Sequence, residues 1–198
     1  MRYSKEHMQE TRSKIYQAAL DKFRSEGFHG IGVDGISKAA GVTSGAFYKH
    51  FGSKANAFRE VLSEGLGILR DGIERNRAEK GDKWLEPFIK WYFSRPEETD
   101  AAAGNLLPMQ GGCALPTLSP EVARTDEETQ AIYEQELLEI VKALKAGLPK
   151  ETPMKKQAAW SILATMIGGV ALARAVQDEA LAEEIAKSMV WANKKLVR

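Results

Sequence analysis

Tyr48, Lys49 and His50 stand in a row, with Lys54 just beyond them and Lys38 upstream. A phenol, ammonium groups and an imidazole in one short stretch can donate hydrogen bonds to phosphate oxygens and to base edges. Just before them come Thr43, Ser44, Gly45 and Ala46, which are small enough to let a helix backbone approach a polyanion closely. Thr43 can cap a helix that begins there, leaving its first amides and the positive end of its dipole facing outward. Ser44, Gly45 and Lys49 fall where base edges would lie, while Tyr48 and Lys54 can reach phosphates. A helical hairpin with a polar surface explains the same spacing equally well, because the motif is short.

Other chemistries find little support. The three histidines, His7, His29 and His50, all lie in the first fifty residues, and no His/Cys/carboxylate set has metal-ligand spacing. No glycine-rich phosphate loop follows a strand. The expectation is a protein that is not an enzyme and needs neither metal nor cofactor. Cys113 is the single cysteine, which excludes an internal disulfide framework and fits a reducing, cytoplasmic setting. Its thiol near a helix N-terminus could react as thiolate with an electrophile or oxidant, but no Lys or Arg follows before Arg124, and a small packed residue is the preferred reading. Trp84, Phe88, Trp91 and Tyr92, together with Met109, Cys113, Tyr133, Trp160 and Met166, could line a pocket for an apolar or aromatic molecule. Aromatic and methionine stripes at helical spacing are also what a plain core looks like.

The elements that position these groups read as helices throughout, and the expected class is all-α. A first helix runs from Ser4 or Glu10 to Glu26, buries Ile15, Ala18, Ala19 and Phe23, and is capped by Gly27. The second, Val33 to Ala40, buries Val33, Ile36 and Ala40. Gly41-Val42 makes a tight turn, and a third helix, Thr43 to Phe51, buries Phe47 and Phe51. Ser53 opens a long helix to Glu79 with an apolar stripe from Phe58 to Ile73. A short aromatic helix around Trp84–Tyr92 stops before Pro96. Ser119-Pro120 reads as an N-cap and first helical residue, followed by helices over 126–146, 153–176 and 178–196. In the last two, Ile162, Met166, Val170, Leu181, Ile185 and Met189 form apolar surface suited to a dimer interface, and Gly168-Gly169 permits close helix approach. The uncharged run Gln157–Ala173 is short and alanine-rich for a membrane span, so a buried helix is expected, with no membrane partner.

Charge is distributed unevenly. Residues 1–54 hold nine Lys/Arg against five acids, whereas the whole chain carries a net charge of +1. A basic N-terminal part on a mildly acidic body fits a polyanion partner at one end.

The run from Thr11 to Phe28, Ala40-Gly41-Val42, Tyr48, His50-Phe51 and Ser53-Lys54 resembles the N-terminal domain of the TetR family of transcriptional regulators. The resemblance implies a helix-turn-helix DNA-binding domain over 1–53 and a helical ligand-binding and dimerisation domain over 54–198. It implies a homodimer on a pseudo-palindromic double-stranded DNA operator, released by a small-molecule inducer. Lys38, Thr43, Ser44, Gly45, Ala46, Tyr48, Lys49, His50 and Lys54 are the matching DNA-contact positions. Gly32, Gly35, Ser37 and Asn56 depart from the family pattern, at a helix cap, two helix-interior positions and a capping box. Gly112-Cys113 with Leu118 and Glu121 resembles a Gly-Cys-x4-Leu-x2-Glu segment of one branch, some members of which sense electrophiles or oxidants at the cysteine.

Overall fold

The structure, a computed structural model, describes residues 4–93 and 112–197. Met109 lies outside the described residues. Among the described residues there are nine α-helices, one 3-10 turn and no strand. The helices are α1 (Lys5–Gly30), α2 (Val33–Ala39), α3 (Ser44–Phe51), α4 (Lys54–Lys80), α5 (Leu85–Phe93), α6 (Leu115–Val122), α7 (Glu127–Gly147), α8 (Lys155–Ala175) and α9 (Glu179–Leu196), with the 3-10 turn at Gly81–Lys83.

The chain divides into two compact units, Met1–Glu64 with Thr117–Tyr133, and Gly65–Pro116 with Glu134–Arg198. In the first, Ile15, Phe23, Ile36, Phe47, Phe58 and Leu118 are fully buried. Phe58 meets Phe23 edge-on at 5.2 Å, and Phe28 at 4.7 Å. The expected end of the first helix is visible as a kink: Gly27 takes φ 76°, ψ 170°, and helical bonding resumes briefly to Gly30. A side chain at this φ is strained, which is why glycine sits there. Gly41 makes the next turn at φ 68°. Within α2, Ile36 is buried as expected, but Val33 and Ala40 are only half-buried, and Ser37 takes the second inward position. The seven-residue helix is too short to turn a third side chain inward.

Thr117–Tyr133 is fastened to this first unit by polar contacts. Glu121 accepts from the His29 amide at 3.1 Å. Arg59 donates to Thr129 Oγ1 and to Asp126 Oδ1, at 3.0 and 2.9 Å. Asp126 also caps α7 by accepting from the Thr129 amide at 2.9 Å. The Arg59 guanidinium, and then the Thr129 donors, hold the Asp126 carboxyl down to about 2.

One expected boundary is wrong. Ser119-Pro120 does not start a helix: α6 begins at Leu115, and Pro120 lies inside it. Pro116 occupies the first turn, where a missing N–H costs nothing. Pro120 removes one internal bond from an eight-residue helix. That loss is offset by Leu115, Leu118 and Val122, all nearly or fully buried at helical spacing.

In the second unit α8 buries Ala158, Ala159, Ile162, Leu163, Met166, Gly169, Val170 and Ala173. By length and composition α8 could cross a membrane, yet these eight residues pack inside the unit, chiefly against α9. Gly169 makes that packing possible, since a Cβ there would lie 2.5 Å from Met189 Cγ and 2.9 Å from the Phe93 ring. Ile162, Met166 and Val170 are therefore core residues with no exposed surface, and Met189 packs over Gly169. This corrects their expected place in a dimer interface. A helix apolar all round is buried on its inner arc by its own chain first. Leu181 remains 43% exposed, and Ile185 is half-buried.

Candidate nucleic-acid interface

The site is built on α3, whose inner face is anchored by Phe47 and Phe51, their rings stacked at 5.5 Å. Thr43 caps the helix, its Oγ1 accepting from the Ala46 amide at 3.2 Å. The cap holds the N-terminal turn open toward solvent, so its dipole end faces outward. Thr43, Gly45, Tyr48 and Lys49 are exposed, as is Lys38 on α2. Tyr48 has 52% of its surface free, and its ring rests edge-on against Phe47 at 5.8 Å. Such support fixes the direction in which the phenol points.

Ser44, Ala46 and His50 are half-buried. Ser44 Oγ donates to Asp34 Oδ1 at 2.6 Å, which ties α3 to α2 and occupies the hydroxyl proton. Burial, and then the positive charges of Lys49 and Arg12, hold His50 below the usual histidine range.

Lys54 stands differently from its expected place at a phosphate. Its Nζ donates to the Phe28 and Ile31 carbonyls at 2.8 and 3.0 Å and lies 4.4 Å from the centre of the Phe28 ring. The ammonium caps the end of α1, a role that spacing alone could not reveal because the partners are backbone atoms.

A groove of about 660 Å³ separates α1 from the turn and α3. His7 and Lys14 line it from α1, and Lys49 and His50 from α3, with Thr11 and Thr43 between and no acidic side chain in its wall. The α1 residues went unnoticed as site residues in the sequence. Lys14 entered only the charge count and His7 only the tally of histidines, and helical phase from a single chain does not say which arc of α1 flanks α3.

Three departures from the family pattern have visible consequences. Gly32 is the N-cap of α2 and gives it no side-chain hydrogen bond. At Gly35 a Cβ would lie 2.3 Å from Ile31 Cδ1, so glycine there accommodates Ile31. At the start of α4, Ser53 Oγ accepts from the Asn56 amide at 3.0 Å, while the Asn56 side chain accepts from Arg59 instead of completing a capping box.

The residues expected to line a pocket lie mostly in the interior of the second unit. Trp84, Phe88, Tyr92 and Met166 are closed into the core, with Phe88 packed 5.5 Å from Trp84 and 5.7 Å from Trp91. Trp84 Nε1 is committed to the Gly147 carbonyl at 2.7 Å. Cys113 is 5% exposed, and its carbonyl accepts from Arg174 at 3.2 Å. Trp160 is half-buried, and Tyr133 belongs to the first unit, where its hydroxyl donates to Ser119 at 2.7 Å. No groove described in either unit is lined by any of these residues.

Fold and site together define an all-α protein with an N-terminal helix-turn-helix and a helical C-terminal body. Residues 15–61 match the family described as bacterial regulatory proteins, tetR family. Over this N-terminal stretch the chain is similar to that family. It is 45% identical over 65 residues to the HTH-type transcriptional regulator AcrR of Shigella flexneri, covering 32% of this chain and 30% of that protein. It is 40% identical over 87 residues to the HTH-type transcriptional regulator TtgR of Pseudomonas putida, covering 44% of this chain and 40% of that protein. These matches thus span less than half the length of either relative. At the level of fold, a TetR-family transcriptional regulator from Agrobacterium tumefaciens superposes with a TM-score of 0.76 at 18% identity, over 93% of this chain and 98% of the other. The reduced form of Escherichia coli NemR superposes with a TM-score of 0.73 at 18% identity, over 95% and 97%.

Proposed function

We propose that the protein is a sequence-specific DNA-binding transcriptional regulator, a repressor released from a pseudo-palindromic operator by a small-molecule inducer. The observation that carries this is the capped α3 with its exposed Tyr48 and Lys49, beside a groove walled by His7, Lys14, Lys49 and His50. In this reading residues 1–53 are the DNA-binding domain and 54–198 the ligand-binding and dimerising domain. Lys38, Thr43, Tyr48 and His50 meet phosphates, and Gly45, Ala46 and Lys49 face base edges. Ser44, held by Asp34, sets the angle of α3. Lys54 acts through the rigidity of α1.

The partner is a second copy of the chain, paired through the outward arcs of α8 and α9. Exposed Ala164, Gly168 and Leu172 follow one another at four-residue spacing on α8, and exposed Leu181, Ser188 and Trp191 share a face of α9. No side chain meets the open face of Gly168, so a partner helix can approach it closely. Two α3 helices in such a dimer would lie about one DNA turn apart, on the order of 34–36 Å.

Release by electrophile attack at Cys113 is the weaker trigger, because burial keeps the thiol from reagents. Gel-shift titration at two salt concentrations tests the function. The expected result is nonspecific binding that weakens steeply with salt, since each neutralised phosphate releases a counterion. Binding that ignores salt, or no binding, would count against it.

A further inference from the structure

A second cavity, of about 560 Å³, lies in the second unit between the outer face of α5 and the last turns of α9. Its walls are Leu85, Ile89, Pro149, Val190 and Val197, with Asn193 among them. Asn193 is fully buried. Its Nδ2 donates to the Met189 carbonyl at 2.8 Å, which fixes the orientation of the amide, because only the nitrogen can serve a carbonyl. The other end, Oδ1, has no hydrogen-bond partner. A buried acceptor beside an apolar cavity invites a donor from whatever enters. At the rim, Glu86 is paired with both Lys90 and Lys194, at 3.0 and 2.5 Å. Asp82 and Lys83 also line it, so the rim holds both carboxylates and ammonium groups and answers most of its own charge.

We propose that this cavity is a binding site for a small, neutral, largely apolar molecule that donates one N–H or O–H to Asn193 Oδ1. The apolar walls supply most of the affinity, and the amide selects for the donor. Its walls share no residue with the aromatic core of Trp84, Phe88 and Tyr92. They also lie on the side of α9 turned away from Leu181, Ser188 and Trp191, so dimerisation through that face leaves the cavity open. The proposal is independent of the DNA-binding reading, and its test uses the full chain without DNA.

Indole and 1-methylindole make a matched pair of probes: the second lacks the N–H, and the cavity is roomy enough for its extra methyl. Calorimetric titration should show saturable binding of indole and about tenfold weaker binding of 1-methylindole, the loss expected when a buried acceptor stays unanswered. Asn193→Leu should bring the two affinities together, and Val190→Trp, which fills the cavity from a half-buried position, should abolish both. The Val190 variant also keeps the test decisive if Asn193→Leu does not fold. Equal affinity of the two probes for the wild type, as when water alone serves Oδ1, would overturn the proposal. So would no saturable binding, or unchanged binding in Val190→Trp.

Discussion

At the scale of single residues, the proposed interface separates into groups that would position DNA and groups that would read it. Tyr48 is supported from behind by Phe47, and Lys49 has no such support. Phosphate contacts fix register without reading sequence, whereas base-edge contacts discriminate. Tyr48→Ala should therefore weaken binding to all DNA sequences alike, and Lys49→Ala should change which sequences are preferred, both read by competition gel shift. His50 adds a pH dependence. Burial and its cationic neighbours hold its pKa low in the free protein, and a phosphate alongside would raise it. DNA binding would then take up a proton, so affinity should rise as pH falls from about 7.5 to 6. His50→Gln should flatten that rise; an unchanged slope would remove His50 from the interface. Ser37 shows what the sequence could and could not disclose. It stood out as a departure from the family pattern, but only the structure shows its hydroxyl buried and unpartnered. Ser37→Ala should stabilise the fold by about 1 kcal/mol in a denaturant titration.

At the scale of elements, the helices with strong apolar period and clear caps were legible. Phe58 to Ile73 on α4, Asp178 before α9, Gly27 and Gly41 all fell where patterning put them. The start of α6 was misread because a Ser-Pro pair is a strong local signal, and burial of Leu115 and Leu118 outweighs it. The role of Lys54 was hidden for a different reason. Its partners are two carbonyls more than twenty residues away, and contacts of that range leave no trace in spacing. Lys54→Met should keep the packed stem and lose both bonds, costing about 1–2 kcal/mol of stability. An unchanged denaturation midpoint would contradict its clamping role. Gly32→Ser should supply the missing cap of α2 and gain about 0.5 kcal/mol. The Arg59–Asp126 contact should make stability acid-sensitive. The Asp126 pKa is lowered on folding, so its contribution is present above the ordinary carboxylate range and is lost as pH falls toward about 2.

At the scale of the whole molecule, the proposal is a reading head carried on a dimerising body. The sequence made the head legible because its pattern is local: a cap, a glycine turn and two inward phenylalanines within a few turns of chain. The body was less legible, because a helix that is apolar on every side does not reveal which arc its own chain covers. Ile162, Met166 and Val170 went to the core, and Gly168, Leu172 and Trp191 were left outside. Leu172→Glu combined with Trp191→Glu should therefore convert a dimer to a monomer by light scattering at micromolar concentration. A wild-type chain that is itself monomeric there would refute the pairing. The central claim, that α3 reads DNA as one half of a twofold pair, is tested most directly by selecting bound sequences from a random DNA library with the wild-type chain and with Lys49→Ala. The account predicts an enriched inverted repeat with half-sites about one helical turn apart, changed in sequence but not in spacing by Lys49→Ala. Failure to enrich any site, or one enriched identically by both proteins, would contradict it.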